Sequence, residues 1–439
     1  MTGVTQQLLR CFFRAGGNLT LTIPVITLGA ILGVSPRGAA HDSADTCAVT
    51  TADPDLGPAP GSYRILTEDS VISFPFELFR GDVKFDGEMN GYPVRMLIDN
   101  GIMPWDEILF FGSPLDDSLG FNFEGTADIG GGGEGKMVPA RTASGVTIRF
   151  PGVEFTDQTA IVMPYRGVPN PWIVEGQVCG TFFKHFVVEF NFDKMMLTLS
   201  PQEKFQYQGE GQEIPIKHMG NGLWGFPATL ELADGRTVSL DVSMDLGYGD
   251  QFEITAKGEH LLAPPPNALP GSLGFGVQGE TLGHIGRIKS VQIGSYRLDS
   301  VVAGFIDPEY TGSTFGEAMV GLGLLSHFNF TYDYPHNRMF IEPNHLFGEP
   351  FEYDMSGLWL GRLEGESLVI RQVHPGTPAA EVGITVEDRI VRINGRPVRE
   401  ISDPWVYGPL LRRAGETVKL VLLRDGREVE VSIMLRRLI

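Results

Sequence analysis

The fold turns on one stretch, Asn90-Gly91-Tyr92-Pro93-Val94-Arg95-Met96-Leu97-Ile98-Asp99-Asn100-Gly101. It reads as a tight turn, then a short, mostly apolar strand, then an acid and a glycine where the strand stops. A carboxylate at the end of a buried strand is costly unless it is hydrogen-bonded or at work. The chain offers this acid a partner 146 positions later, where Val238 to Gly247 repeats the plan and ends Ser243-Met244-Asp245-Leu246-Gly247.

Two closing segments extend the repeat. Val178-Cys179-Gly180 leads through Thr181-Phe182-Phe183-Lys184-His185 into an alternating strand, and Met319-Val320-Gly321 leads through Leu322-Gly323-Leu324-Leu325-Ser326-His327 into another. Each continues into a hairpin, turning at Asp193-Lys194 in one and at Pro335-His336-Asn337 in the other. Asp99 to Gly180 is 81 positions and Asp245 to Gly321 is 76, a loop-sized difference. Residues 70–205 and 206–346 therefore read as two copies of one β-rich lobe. His185 and His327, at matching places, read as structural caps behind the core.

At 439 residues the chain exceeds one ordinary core. Its 56 glycines and 30 prolines favour short strands and turns. Residues 351–439 carry 13 basic and 13 acidic side chains, whereas residues 41–350 carry 18 and 41, a balance of −23. That field repels nucleic acid and anionic membrane, which excludes both as expected partners.

Residues 1–40 read as a secretory signal peptide. Arg10 and Arg14 precede an apolar run from Leu19 to Val34, and Gly38-Ala39-Ala40 suits cleavage. The location expected is secreted or periplasmic. The alternative is an uncleaved anchor, the one route to a membrane. Residues 41–69, rich in Pro, Ala and Asp, read as a flexible leader. Neither Cys47 nor Cys179 has metal-ligand spacing with the histidines, so no metal and no cofactor is expected.

Residues 350–439 form a third unit. Leu358-Trp359-Leu360-Gly361 precedes the strand Leu368 to Val373; Thr377 and Pro378 cap and open a helix; and Asp425-Gly426 joins two strands. A second helix is expected over 403–413, where Trp405 reads as packing.

Two acids, one from each copy of a repeat, point to a site on a pseudo-twofold axis. Two carboxyls at hydrogen-bond distance cannot both ionise readily, so one keeps its proton and the pair holds a water. The ionised member takes a proton from that water as it attacks a peptide carbonyl, and the protonated member donates to the carbonyl oxygen. Such chemistry needs neither metal nor nucleophilic side chain.

The lobes resemble the retropepsin-like and pepsin-like aspartic peptidases, whose mark is Asp-Thr-Gly or Asp-Ser-Gly once per lobe with two apolar residues and Gly behind it. Asp99-Asn100-Gly101 and Asp245-Leu246-Gly247 stand at those places, backed by Val178-Cys179-Gly180 and Met319-Val320-Gly321. The last unit resembles a PDZ domain, and the whole order is similar to bacterial secreted aspartyl proteases bearing one. The resemblance implies a mainly β chain of two pepsin-like lobes and a PDZ domain. It implies an endopeptidase acting through Asp99 and Asp245, with Asn100, Gly101, Leu246 and Gly247 supporting the acid loops.

It also implies that Gly131, Gly132 and Gly133 lie in a flap over the cleft, with Gly276 in its second-lobe counterpart. Plain flexible linkers are the alternative. Lys136 is followed by Met137 instead of Ser or Thr, so the glycine run is not a phosphate loop. The backbone amides of a Leu358-Trp359-Leu360-Gly361 loop would receive a peptide carboxylate, the following strand extending by β-augmentation; a groove closed against the lobes is the alternative. Partners implied are a peptide or protein substrate and a C-terminal peptide, with a monomer as the default.

The chain departs from the pattern where a hydroxyl normally follows each acid. Asn100 can replace one cross-lobe bond and Leu246 none. Ile102 and Tyr248 are bulky where the family has small residues, so a catalytically silent peptide-binding scaffold of the cell envelope is the competing reading.

Overall fold

The computed structural model describes residues 62–79, 81–101, 107–113, 118–133, 135–164, 174–178, 180–220, 223–255, 262–307, 316–364, 367–400 and 411–439. The expected signal and most of the leader, the three cysteines, Ile102, Trp405 and most of the 403–413 helix lie outside them. Among the described residues no helix is long and apolar enough to cross a membrane.

The first lobe is built from β1 (Ser62–Ile65), β2 (Ile72–Pro75), β3 (Glu77–Phe79), β4 (Asp82–Met89), β5 (Tyr92–Ile98) and β6 (Glu107–Phe110). It continues with β7 (Asn122–Ile129), β8 (Val138–Phe150), β9 (Val153–Val162), β10 (Gly176–Val178), the helical turn α1 (Thr181–His185), β11 (Phe186–Asn191) and β12 (Met196–Pro201). Period-2 patterning explains much of this. Along β8 buried and open positions largely alternate, and β5 turns fully buried over its last three residues as it enters the core.

The second lobe repeats the plan with β13 (Gln212–Pro215), β14 (Lys217–Gly220), β15 (Leu223–Glu231), β16 (Thr237–Met244), β17 (Phe252–Thr255) and β18 (Leu269–Gly276). Then come β19 (Gly279–Ile293), β20 (Tyr296–Ile306), β21 (Ala318–Val320), α2 (Leu322–Leu325), β22 (Phe328–Asp333) and β23 (Arg338–Pro343).

The duplication holds strand by strand. In the first lobe β10 runs parallel to β5 and antiparallel to β6; in the second, β21 runs parallel to β16 and antiparallel to β17. The hairpins β7–β8 and β18–β19 match as well. A sheet of order β13-β23-β22-β11-β12-β2 draws three strands from each lobe, and its centre, β11 against β22, lies between the two copies. One continuous core fills both lobes. His185 and His327 rest on Tyr63 and Phe351 rings, at 4.8 and 4.5 Å.

The third unit has its own core, with Leu368, Ile390, Leu420 and Ile433 at its centre. Its sheet runs β24 (Leu358–Glu364), β25 (Ser367–Val373), β26 (Arg389–Ile393), β28 (Thr417–Arg424), β29 (Arg427–Met434), with β27 (Arg396–Pro397) on β26. Thr377 precedes α3 (Pro378–Glu381) as expected, but its hydroxyl donates back to His374 O at 2.6 Å instead of capping the helix. Leu358 to Gly361 are not a loop: they belong to β24, because apolar residues here pair with β25 at the sheet edge. The loop before that edge is Asp354 to Gly357.

Candidate active site

β5 and β16 deliver Asp99 and Asp245 to one place. Each backbone N–H donates across its parallel neighbour, Asp99 to Val178 O and Asp245 to Val320 O, both at 3.0 Å. Each loop then closes on its own acid, Gly101 N–H donating to Asp99 Oδ1 at 2.7 Å and Gly247 N–H to Asp245 Oδ1 at 2.8 Å.

The glycines also make room for the opposite acid. A Cβ on Gly101 would stand 2.7 Å from the Asp245 carboxyl, and one on Gly247 would stand 2.2 Å from Asp99 Oδ2. The carboxyls face each other, and each bears on the other's ionisation. Burial first, then the charge of Asp245, pushes Asp99 well above the usual carboxylate range. Asp245 is more open to solvent. Burial raises it too, while N–H donation from Gly247 and the hydrogen bond from Asp99 pull it back. The pair therefore holds one proton between its two carboxyls.

Between the lobes the Asn100 side chain does more than the single bond expected. Its Oδ1 accepts from Leu246 N–H at 2.7 Å, and its Nδ2 donates to Met244 O at 3.3 Å and Tyr334 Oη at 3.2 Å. Leu246 is fully buried and contributes only its backbone. Tyr334 is braced by Trp224 and Phe183, with ring centroids 4.7 and 5.1 Å away. Tyr248 does not separate the acids. Its ring packs where Gly321 leaves space and borders a crevice shared with Tyr353 and Arg412.

Two residues of the site were missed in the sequence. Gln177 Nε2 donates to Asp99 Oδ2 at 2.6 Å. Its register partner across the pseudo-axis is Met319, so the support is one-sided. A lone amide before Val178 was the available signal. Glu253, on β17, is buried and pushed up to about 8 by burial, then by Asp245 and Asp250. Leu109 holds the equivalent place in the first lobe, so comparing the copies would have exposed it.

The tips of the hairpins β7–β8 and β18–β19 meet each other. Gln278 N–H donates to Gly132 O at 3.0 Å, and Gly135 N–H donates to Gln278 O at 2.7 Å. The Gln278 side chain accepts from Gly131 N–H at 3.0 Å and donates to Gly135 O at 2.7 Å. A Cβ on Gly133 would lie 2.5 Å from Gly279, and one on Gly276 would lie 2.4 Å from Gly132 O. Val277 packs on a separate apolar cluster that includes Leu97, Leu109, Ile129, Val138 and Ile161. From the third unit, Arg371 reaches Glu280 of the second tip at 3.1 Å.

A family model for the PDZ domain matches residues 369–424, so the chain carries a PDZ domain. A protein of Mesorhizobium japonicum that bears the provisional name of a zinc metalloprotease is 40% identical over 72 residues, 16% of this chain. The chain spans only 19% of that relative's length. The crystal structure of an aspartic proteinase from Irpex lacteus aligns with 64% of this chain and 99% of its own, at 12% identity and a TM-score of 0.40. At that score the likeness carries no functional weight. The architecture stands on the strand pairing itself: a mainly β chain of two lobes with one topology, followed by a PDZ domain.

Proposed function

We propose that the protein is an aspartic-type endopeptidase in which Asp99 and Asp245 activate one water against a peptide bond. The observation that carries this reading is the reciprocal packing of Gly101 on the Asp245 carboxyl and Gly247 on the Asp99 carboxyl. Asp245, the ionised member, takes the water proton; Asp99, the protonated member, donates to the carbonyl oxygen. The hairpin tips close over an extended chain and exclude water. The apolar cluster beneath them favours apolar side chains flanking the cut. The same reading has residues 1–40 exporting the chain to a secreted or periplasmic location, where the PDZ domain engages the protein being cut.

The test is cleavage of an unfolded protein at acid pH. Wild type is expected to cut, and Asp99→Asn and Asp245→Asn are expected to lose at least ~10³-fold while keeping their circular dichroism. No cleavage by wild type at any pH, or full activity in either variant, overturns the assignment.

The clasp at Gln278 and the hydroxyl lost at Leu246 favour a second reading, a silent scaffold that holds extended peptide. It predicts peptide binding with unchanged peptide mass after long incubation.

A further inference from the structure

The sheet shared by the lobes has a second face, and its residues line up across the seam. Register pairs Thr198 of β12 with Glu189 of β11, Glu189 with Thr331 of β22, and Thr331 with Phe340 of β23. Paired positions point to the same side of a sheet, so these four side chains form one row. Their chain neighbours Phe190 and Tyr332 point the other way, into the core. There the Tyr332 hydroxyl donates to Met244 Sδ at 3.2 Å, one residue before Asp245. The row therefore lies on the side of the sheet turned away from the acid pair.

The connector between the lobes, residues 201–209, roofs this row and leaves a cavity of about 380 Å³, within the size range of small-molecule sites. Tyr207 closes one side, its ring stacked on Phe340 with centroids 4.0 Å apart. Gly209 lets the connector pass, since a Cβ there would stand 2.4 Å from Tyr207 Oη and 3.2 Å from Glu342 Oε2. Two carboxylates line the cavity, Glu189 from the first lobe and Glu342 from the second. Both bear on the Tyr207 phenol, which burial first, and then the charges of Glu342 and Glu189, hold above its usual value. Neither carboxylate has an ion-pair partner among the described residues. Lys204, also in the lining, is exposed and pairs with neither. Thr331 lines the cavity at 3% exposure, and its hydroxyl makes no hydrogen bond among the described residues.

We propose that this cavity is a binding site for an organic cation, an alkylammonium or alkylguanidinium of lysine or arginine size, held between Glu189 and Glu342 with the Thr331 hydroxyl accepting beneath it. Two like charges beside one phenol repel each other, and a cation between them replaces that repulsion with two attractions. The excess of acidic side chains over residues 41–350 draws cations toward the lobes. Because Glu189 and Glu342 belong to different lobes, the bound cation ties the copies together across β11 and β22. The site is separate from the acid pair and stands whether or not that pair cuts.

The test uses the full chain near neutral pH with labelled threonine methyl groups, followed by NMR. The probes are N-acetyl-arginine amide and N-acetyl-lysine amide, which separate guanidinium from ammonium, with the neutral N-acetyl-citrulline amide as control. At least one cation should shift the Thr198 and Thr331 methyls together and saturate with a Kd below about 10 mM, whereas citrulline at the same concentration leaves them in place. Glu189→Gln and Glu342→Gln keep the side-chain shape and should each weaken binding at least ~five-fold. If either variant does not fold, the comparison with citrulline decides alone. No shift of these methyls by either cation up to about 50 mM, citrulline binding as well as the cations, or unchanged affinity in either folded variant overturns the proposal.

Discussion

Asn100 and Gln177 do different work on the acid pair, and substitution separates them. Asn100→Ala removes the acceptor of a buried N–H and two donations, so it should cost roughly 1–3 kcal/mol of stability and loosen the two loops together. Thermal unfolding with and without a bound peptide checks it. Gln177→Leu should leave stability within about 1 kcal/mol, because the leucine fills the same apolar face. Its effect belongs in the pH profile. The amide favours ionised Asp99, so its loss raises that carboxyl further and moves the alkaline limb of cleavage to higher pH. A fall in rate without movement of that limb would mean Gln177 is only filler.

Glu253 titrates on the same scale, and its sign is opposite to that of a paired carboxylate. Its folded value near 8 lies above the unfolded one, so it adds stability below the unfolded value that is lost as pH rises through 8. Glu253→Gln does not titrate. Relative to wild type it should gain stability between about pH 5 and pH 8.5, on the order of a few kcal/mol. Urea unfolding of both proteins across that range is the measurement, and parallel curves would refute it.

At the level of elements, the hairpin tips and the PDZ sheet make separate claims. Gly133 has φ +106° and lies against Gly279, so Gly133→Val strains the turn and blocks the tips from meeting. Cleavage of long peptides should fall at least ~10-fold through kcat/KM, while the melting temperature, set by the cores, barely moves. In the PDZ domain Asp388, with its side chain fully buried, accepts two bonds from Arg424 at 2.6 Å and one from Thr385 N–H. These partners hold its carboxyl below the usual range, so its contribution is present at neutral pH and fades as pH falls through its folded value. Asp388→Ala should destabilise the PDZ domain by roughly 2–3 kcal/mol, read by hydrogen exchange on β26 and β28.

Across the whole molecule, among the described residues, an ion pair joins the PDZ domain to the hairpin tip of the second lobe, Arg371 with Glu280. Half-exposed pairs of this sort contribute about 0–1 kcal/mol, a factor of about five at most. Arg371→Ala should therefore speed exchange of the Gln278 amide two- to five-fold and no more. A larger change would mean that the PDZ domain holds the tip by contacts beyond this pair.

The sequence by itself determined the period-2 strands, the duplication and the two Asp-X-Gly turns, because these depend on side-chain alternation and on glycine backbone freedom, both local. It also marked the PDZ unit, through its turn and hairpin residues. It misplaced Leu358 to Gly361 in a loop, since an edge strand and the loop before it differ only in what pairs beside them. Only the tertiary structure decided that Asn100 serves both lobes, that Gln177 and Glu253 stand by the acids, and that Asp354 caps the turn ahead of β24. Each of those depends on strand register and on groups far apart in the chain, and burial, which fixes the cost of leaving such groups unpaired, exists only once the sheets have closed.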